Sequence, residues 1–154
     1  MMKLSELLGD GAVALEPGIA SQKSVFERIG ELLSASTGAT PDAIATALAE
    51  RERLGTTGFG GGTAIPHGRV PGLPGIHAAV LRLANPVDWH SVDGTPVDVL
   101  VALIGPEDAG ADHLKALALV SRTLRDQAFV AKLRGASDSG ALWALLAGEE
   151  RRAA

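Results

Sequence analysis

The chain has 154 residues, a net charge of -4, 46% apolar residues and 21% charged ones, which suits one domain with a sizeable core. Aromatic residues make up only 3% and cysteine is absent, so aliphatic side chains must fill the interior, and disulfides, thiolate catalysis and cysteine-bound zinc are excluded. The acidic balance argues against a broad nucleic-acid or anionic-membrane surface. The first ten residues lack the apolar region of a signal peptide, and no run reaches the ~18 apolar residues of a membrane helix. The expectation is a cytoplasmic protein with no membrane insertion, folded as one unit over 1–154 with its core at about 4–148.

In chain order, AVAL (Ala12 to Leu15) is a short strand candidate. SVFERIGELLSAS places Val25, Ile29, Leu32 and Leu33 at helical spacing, with Ser21 or Ser24 as cap and Gly38 as stop. TPDAIATALAERERLG is a better-marked helix. Thr40 is its N-cap, Pro41 takes the first helical position, Asp42 lies in the first turn and Gly55 ends it. Arg51 continues the stripe of Ile44 and Leu48 to the C-terminal end, where the helix dipole favours a cation. Strands are expected at about Ile76 to Leu83 and at Val97 to Ile104, the second so apolar that it belongs in the centre of a sheet. DHLKALALVSRTLRDQ predicts a helix with Leu114, Leu117, Val120 and Leu124 facing the core, and two short helices follow in FVAKLRG and DSGALWALLAG. Trp89 and Trp143 read as core or half-buried anchors. This order fits an α/β sandwich, a central mixed sheet flanked by helices.

Between Gly55 and Gly75 lie eight of the chain's 19 glycines and three of its 8 prolines, and among them a single histidine, His67. Nucleotide loops fail here. Gly55 and Gly60 have P-loop spacing, but Gly61 stands where the lysine belongs, and Thr63 stands where a dinucleotide fingerprint needs its third glycine. His67, His77, His90 and His113 show no pair at metal-ligand helical spacing, and nothing suggests a metal or another cofactor. His77 and His90 carry no supporting pattern.

The segment does favour a rigidly placed imidazole. Pro66 fixes its own φ and pushes Ile65 to extended geometry, so TAIP leads into His67 as a strand-like approach, and Gly68 leaves room beside it. Gly58, Gly60, Gly61 and Gly62 offer backbone N–H groups to an anion. Neutral imidazole is a good nucleophile near pH 7. Attack on phosphorus asks for a nucleophile, a cationic or N–H-rich cradle and close positioning. Arg51 and Arg53 upstream offer the cation, and His113 opens a helix whose N-terminus attracts anions. Taken singly, each has a plainer account: a surface turn for His67, a helix-start residue for His113, a solvated helix end for Arg51 and Arg53.

RERLGTTGFGGGTAIPHG, Arg51 to Gly68, resembles the signature of the fructose/mannitol-type enzyme IIA domains of the bacterial phosphotransferase system, which accept a phosphoryl group on the histidine of a PHG or PHA element. DWHSVDGTPVDVLVALIGPED, followed by DHLKALALVSRTLRD, resembles the second half of that family, so the likeness runs from about Leu4 to Gly148. Within the family the chain looks most like the nitrogen-regulatory branch, although Gly61 and Gly62 make its loop richer in glycine than is usual. The resemblance implies that Nε2 of His67 carries the phosphoryl group, that Arg51 steadies it and that His113 is a second active-centre histidine. Thr57, Gly58 and Arg53 are then substrate-binding candidates. It implies a donor of the HPr or NPr type and no cofactor or metal. Downstream partners would be regulators, potassium-transport systems among them, or the IIB component of a sugar permease. Three readings stay open: a regulatory phosphocarrier, a fructose-type IIA feeding a permease, and a binding protein that works without phosphorylation. The expected docking face is an apolar ring of Phe59, Ile65, Val70 and Leu73 around His67.

Overall fold

The structure, a computed structural model, describes the backbone of residues 2–153 and their side chains except at 9–11 and 149–153. A one-turn helix α1 (Leu4–Leu7) leads into strand β1 (Leu8–Glu16), and α2 (Gln22–Thr37) and α3 (Pro41–Leu54) follow and pack against each other. Ser21, not Ser24, caps α2: its side chain accepts from the Ser24 N–H at 3.1 Å, and Gly38 closes the helix at φ 77. Thr40 caps α3 through the Ala43 N–H at 3.1 Å, with Pro41 opening the helix.

The glycine-rich segment carries more strand than its composition suggests. It holds β2 (Gly58–Gly60), β3 (Thr63–Ala64) and β4 (His67–Arg69) before the long strands β5 (His77–Val87) and β6 (Val97–Gly105). Strands run in the order β1-β5-β6-β3-β2, with β4 also on β6. β1 is parallel to β5, β5 antiparallel to β6, and β3 and β4 both parallel to β6, so the sheet is mixed. β6 lies between neighbours on both sides and is buried at eight of nine positions, as its unbroken apolar run requires.

The pleat divides β6 between two cores. Leu100, Ala102 and Ile104 join Val25, Ile29, Leu33, Ile44 and Leu48 of α2 and α3 on one face. Val99, Val101 and Leu103 join the other face, covered by α4 (Ala111–Arg125), α5 (Gln127–Arg134) and α6 (Ser139–Ala153) through Ala116, Val120, Leu133 and Leu142. The result is the expected α/β sandwich with helices on both sides. Two expectations change. The last helix is 15 residues long rather than short, and Leu114 is 67% exposed while its neighbour His113 is 4% exposed. The stripe His113, Ala116, Val120, Leu124 takes the inner face, and one residue's step of ~100° turns Leu114 to solvent. Trp89 is buried, edge-on to Phe26 at 5.5 Å, and Trp143 is half exposed. Among the described residues no helix is long and apolar enough to cross a membrane.

Candidate functional site

His67 owes its position to a proline-made interruption in an edge of the sheet. Thr63 and Ala64 pair with Val99 and Leu100, and His67, Gly68 and Arg69 pair with Leu103, Ile104 and Gly105 in the same register, so β3 and β4 are one strand broken at Ile65 and Pro66. Pro66 has no N–H to give, but its carbonyl accepts from the Leu103 N–H at 2.9 Å and keeps the strand on β6. Ile65 is freed from the ladder. Its N–H donates to the Thr57 carbonyl at 3.1 Å, and its carbonyl faces His67.

That carbonyl lies 2.8 Å from Nδ1 of His67. A carbonyl can only accept, so Nδ1 carries the proton and Nε2 holds the free lone pair. Gly68 then presses on α3: a Cβ there would meet the Ala47 carbonyl oxygen at 3.1 Å. This close packing brings the end of α3 to the imidazole. Arg51 is half-buried there, its Nη1 donating to the Gly55 carbonyl at 2.8 Å.

His113 approaches from the other helical layer. Its ring centroid is 5.7 Å from that of His67, the planes tilted by 51°. It is buried, and its Nδ1 has no hydrogen-bond partner. Burial pushes the His67 pKa below its usual 6.5; the Ile65 carbonyl opposes this, Arg51 lowers the value further and Glu52 raises it. Burial likewise lowers His113, with the charges of His67 and Arg69 adding to the effect. Both imidazoles are therefore neutral near pH 7; His67 presents a free Nε2 within the field of Arg51, and Arg69 acts on the neighbouring His113 ring.

Several expected contributors take other positions. Arg53 is two residues, ~200°, around α3 from Arg51. It lines a groove with Gln22, Phe26, Glu52, Trp89 and His90, and His67 is not among the residues that line it. Thr57 is buried, its hydroxyl held by Glu52 at 2.6 Å. Gly58 is not an open anion cradle: its N–H donates to Thr56 Oγ1 at 3.1 Å, and a Cβ there would strike Ser91 and Trp89. The Gly61 N–H donates to the Asp93 carboxylate at 3.0 Å, so the glycine tip faces an acid. Gly60, Gly61 and Gly62 all have positive φ and serve a tight β2–β3 turn, which Arg134 clamps by donating to the Gly61 carbonyl at 2.7 Å. The expected apolar ring also fails. Ile65, Val70 and Leu73 are core residues no more than 7% exposed, and only Phe59 reaches the surface.

Sequence reasoning overlooked two charged residues at this site. Arg69 lies on β4 two residues beyond His67, so the period-2 pleat puts both on one face, and its Nη1 donates to the Glu107 carbonyl at 2.9 Å. Glu52 stands beside Arg51 and acts electrostatically on His67. The HGR spacing signals the first; adjacency to Arg51 gives no comparable signal for the second.

A mixed sheet thus lies between two helical layers, with one imidazole held on an interrupted strand and a second imidazole beside it. The family model described as phosphoenolpyruvate-dependent sugar phosphotransferase system, EIIA 2, matches residues 6–148, and the chain belongs to that family. It is 41% identical over 146 residues to a protein of Bradyrhizobium diazoefficiens named nitrogen regulatory protein, covering 95% of each chain. The crystal structure of the nitrogen regulatory protein IIA-Ntr from Neisseria meningitidis superposes with a TM-score of 0.85 at 32% identity, covering 92% of this chain and 97% of that one. The Escherichia coli mannitol enzyme IIA, solved in complex with its phosphorylated enzyme IIB, shares the fold with a TM-score of 0.75 at 18% identity, covering 92% and 99%.

Proposed function

We propose that this chain is a histidine phosphocarrier of the nitrogen-regulatory kind, accepting a phosphoryl group on Nε2 of His67 from an HPr-type carrier protein. The observation that carries the reading is the hydrogen bond from His67 Nδ1 to the Ile65 carbonyl, which leaves Nε2 unprotonated and aimed away from its own strand. The lone pair on Nε2 attacks the phosphorus of the donor's phosphohistidine. A new N–P bond forms as the donor's P–N bond breaks, and the donor imidazole leaves with the electron pair. Positive charge then grows on the His67 ring, and the Ile65 carbonyl accepting from Nδ1–H stabilises it. Because the phosphoryl group moves from one imidazole to another, the transfer is close to isoenergetic and reversible.

Arg51 acts on the His67 ring from the end of α3 and Arg69 on the adjacent His113 ring from β4, so both cations stand near an added charge of about -1.5 to -2. The buried neutral His113 lies beside the ring, 5.7 Å away between centroids, and in this reading restrains it. Phosphorylation adds a dianion to a face that is otherwise arginine-lined, while the core layers beneath are untouched. The expected consequence is a change of partner rather than of fold. The names of the relatives favour a regulatory role over service to a permease.

The test is transfer of labelled phosphate from a phosphorylated HPr-type donor to the wild type and to His67→Ala. Label in the wild type alone is expected. Equal labelling of the two chains overturns the reading.

A further inference from the structure

An unbroken set of hydrogen bonds joins the end of α3 to the imidazole of His67. Glu52 Oε2 accepts from the Thr57 N–H at 2.8 Å, and Glu52 Oε1 accepts from the Thr57 hydroxyl at 2.6 Å. The same hydroxyl oxygen accepts from Trp89 Nε1 at 3.4 Å. The Thr57 carbonyl accepts from the Ile65 N–H at 3.1 Å, and the Ile65 carbonyl accepts from His67 Nδ1 at 2.8 Å.

Ile65 stands between the two segments paired to β6 and belongs to neither. Its neighbours Ala64 and Pro66 are both tied to that strand, whereas its own N–H and carbonyl turn away, one to Thr57 and one to His67. The direction of the carbonyl that chooses the His67 tautomer is therefore set by where Thr57 stands. Thr57 is buried, and its neighbours are tied to other elements: the Thr56 hydroxyl donates to the Trp89 carbonyl at 3.4 Å, and Gly58 pairs with Ala64. The strongest hold on Thr57 itself is the two-pronged grip of Glu52, whose charge-assisted bonds are about twice as strong as neutral ones. The sign of the charge excludes the other obvious role. A carboxylate whose field reaches His67 repels an arriving phosphoryl group, so attraction is not what Glu52 supplies.

We propose that Glu52 is a positioning residue for the acceptor histidine: through Thr57 and Ile65 it holds the carbonyl that keeps the proton on Nδ1 of His67 and the lone pair on Nε2. The inference rests on His67 being the phosphoryl acceptor. Glu52 touches neither the imidazole nor the incoming group.

The experiment measures the His67 tautomer by long-range ¹H–¹⁵N NMR in the unphosphorylated, full-length chain, alongside the rate of phosphoryl acceptance. The wild type is expected in the Nδ1–H form. Glu52→Ala should show a several-fold rise in the Nε2–H form and accept phosphate about tenfold or more slowly. Glu52→Gln should restore the wild-type tautomer, because its amide oxygen can accept from the Thr57 N–H while its NH2 donates to the Thr57 hydroxyl. A residue that only closes the helix end would alter stability and leave the tautomer of the folded molecules unchanged. If Glu52→Ala does not fold, Thr57→Val removes one prong and should shift the tautomer in the same direction by less. A labelled wild type combined with an unchanged tautomer in the folded variant overturns the inference alone. A wild type that takes no phosphate overturns the carrier reading and the inference with it.

Discussion

The rings of His67 and His113 lie 5.7 Å apart across the boundary between the sheet edge and helix α4, and a charge on His67 disfavours a proton on His113. Burial is the larger cause in both, so neither needs the other to stay neutral at pH 7. Their proximity bears on the proposed phosphorylation of His67. A phosphoryl group of about -1.5 to -2 on Nε2 replaces a repelled proton with an attractive anion at short range. The pKa of His113 should therefore rise on phosphorylation. An NMR titration of the His113 ring in the free and phosphorylated chains checks this. A value that stays put or falls would place the phosphoryl group away from His113.

The same depressed values make stability depend on pH with a definite sign. His67, His77 and His113 all have folded pKa values below the usual 6.5, burial being the first cause in each. The unfolded chain then binds more protons than the folded one as pH drops below 6.5, so the free energy of unfolding decreases on acidification. The loss begins as pH falls through about 6.5 and grows until the folded values are passed. Thermal melts from pH 7.5 to 5 should show Tm falling across this window, before carboxylates begin to titrate. A Tm that holds or climbs between pH 6.5 and 5.5 contradicts the assignment.

His113 also carries a cost that a simple substitution exposes. Its Nδ1 is buried with no hydrogen-bond partner, a situation typically worth about 1–3 kcal/mol against folding. Leucine fills similar space without a polar atom. His113→Leu is expected to match the wild type in stability or exceed it by about 1 kcal/mol, since the penalty disappears while some packing is lost. Phosphoryl acceptance should fall nonetheless, because the ring that restrains His67 is gone. Denaturant unfolding and a transfer assay on one preparation separate the two effects. A loss of more than about 2 kcal/mol would show that His113 is there for packing.

Much of this site was legible because glycine and proline act on the backbone directly. Pro66 forces an extended Ile65, and the histidine next in line then rejoins β6 on a defined heading. The caps at Thr40 and Gly38 were readable for the same reason, since each satisfies groups its own helix leaves open. What could not be read was which neighbour each loop group would find. The N–H groups of Gly58 and Gly61 looked free for an anion, yet Thr56 and the distant Asp93 occupy them. Ile65, Val70 and Leu73 looked like a contact ring because a glycine-rich stretch suggests a surface loop. Pairing of β4 with β6 instead draws the segment into the sheet and its aliphatic side chains into the two cores. Such long-range pairing leaves no trace in local spacing.

With only Phe59 of that ring at the surface, further apolar contacts for the proposed donor protein must come from elsewhere, and two leucines fit. Leu114 is 67% exposed beside His113, and Leu54 is 85% exposed beside Gly55, whose carbonyl anchors Arg51. Each thus adjoins a residue of the site along the chain. Protein interfaces are organised around a few well-packed side chains, and truncating one such anchor commonly costs more than about 1 kcal/mol of binding. Neither leucine supports the core, so replacing either should change stability by less than about 0.5 kcal/mol. Leu114→Ala and Leu54→Ala are expected to raise the KM for the phosphorylated donor about fivefold or more, with kcat nearly unchanged. Steady-state transfer kinetics at varied donor concentration resolve the two parameters. A drop in kcat at constant KM would assign these side chains to the chemistry of His67 instead of the docking surface, and no effect in either variant would move that surface elsewhere.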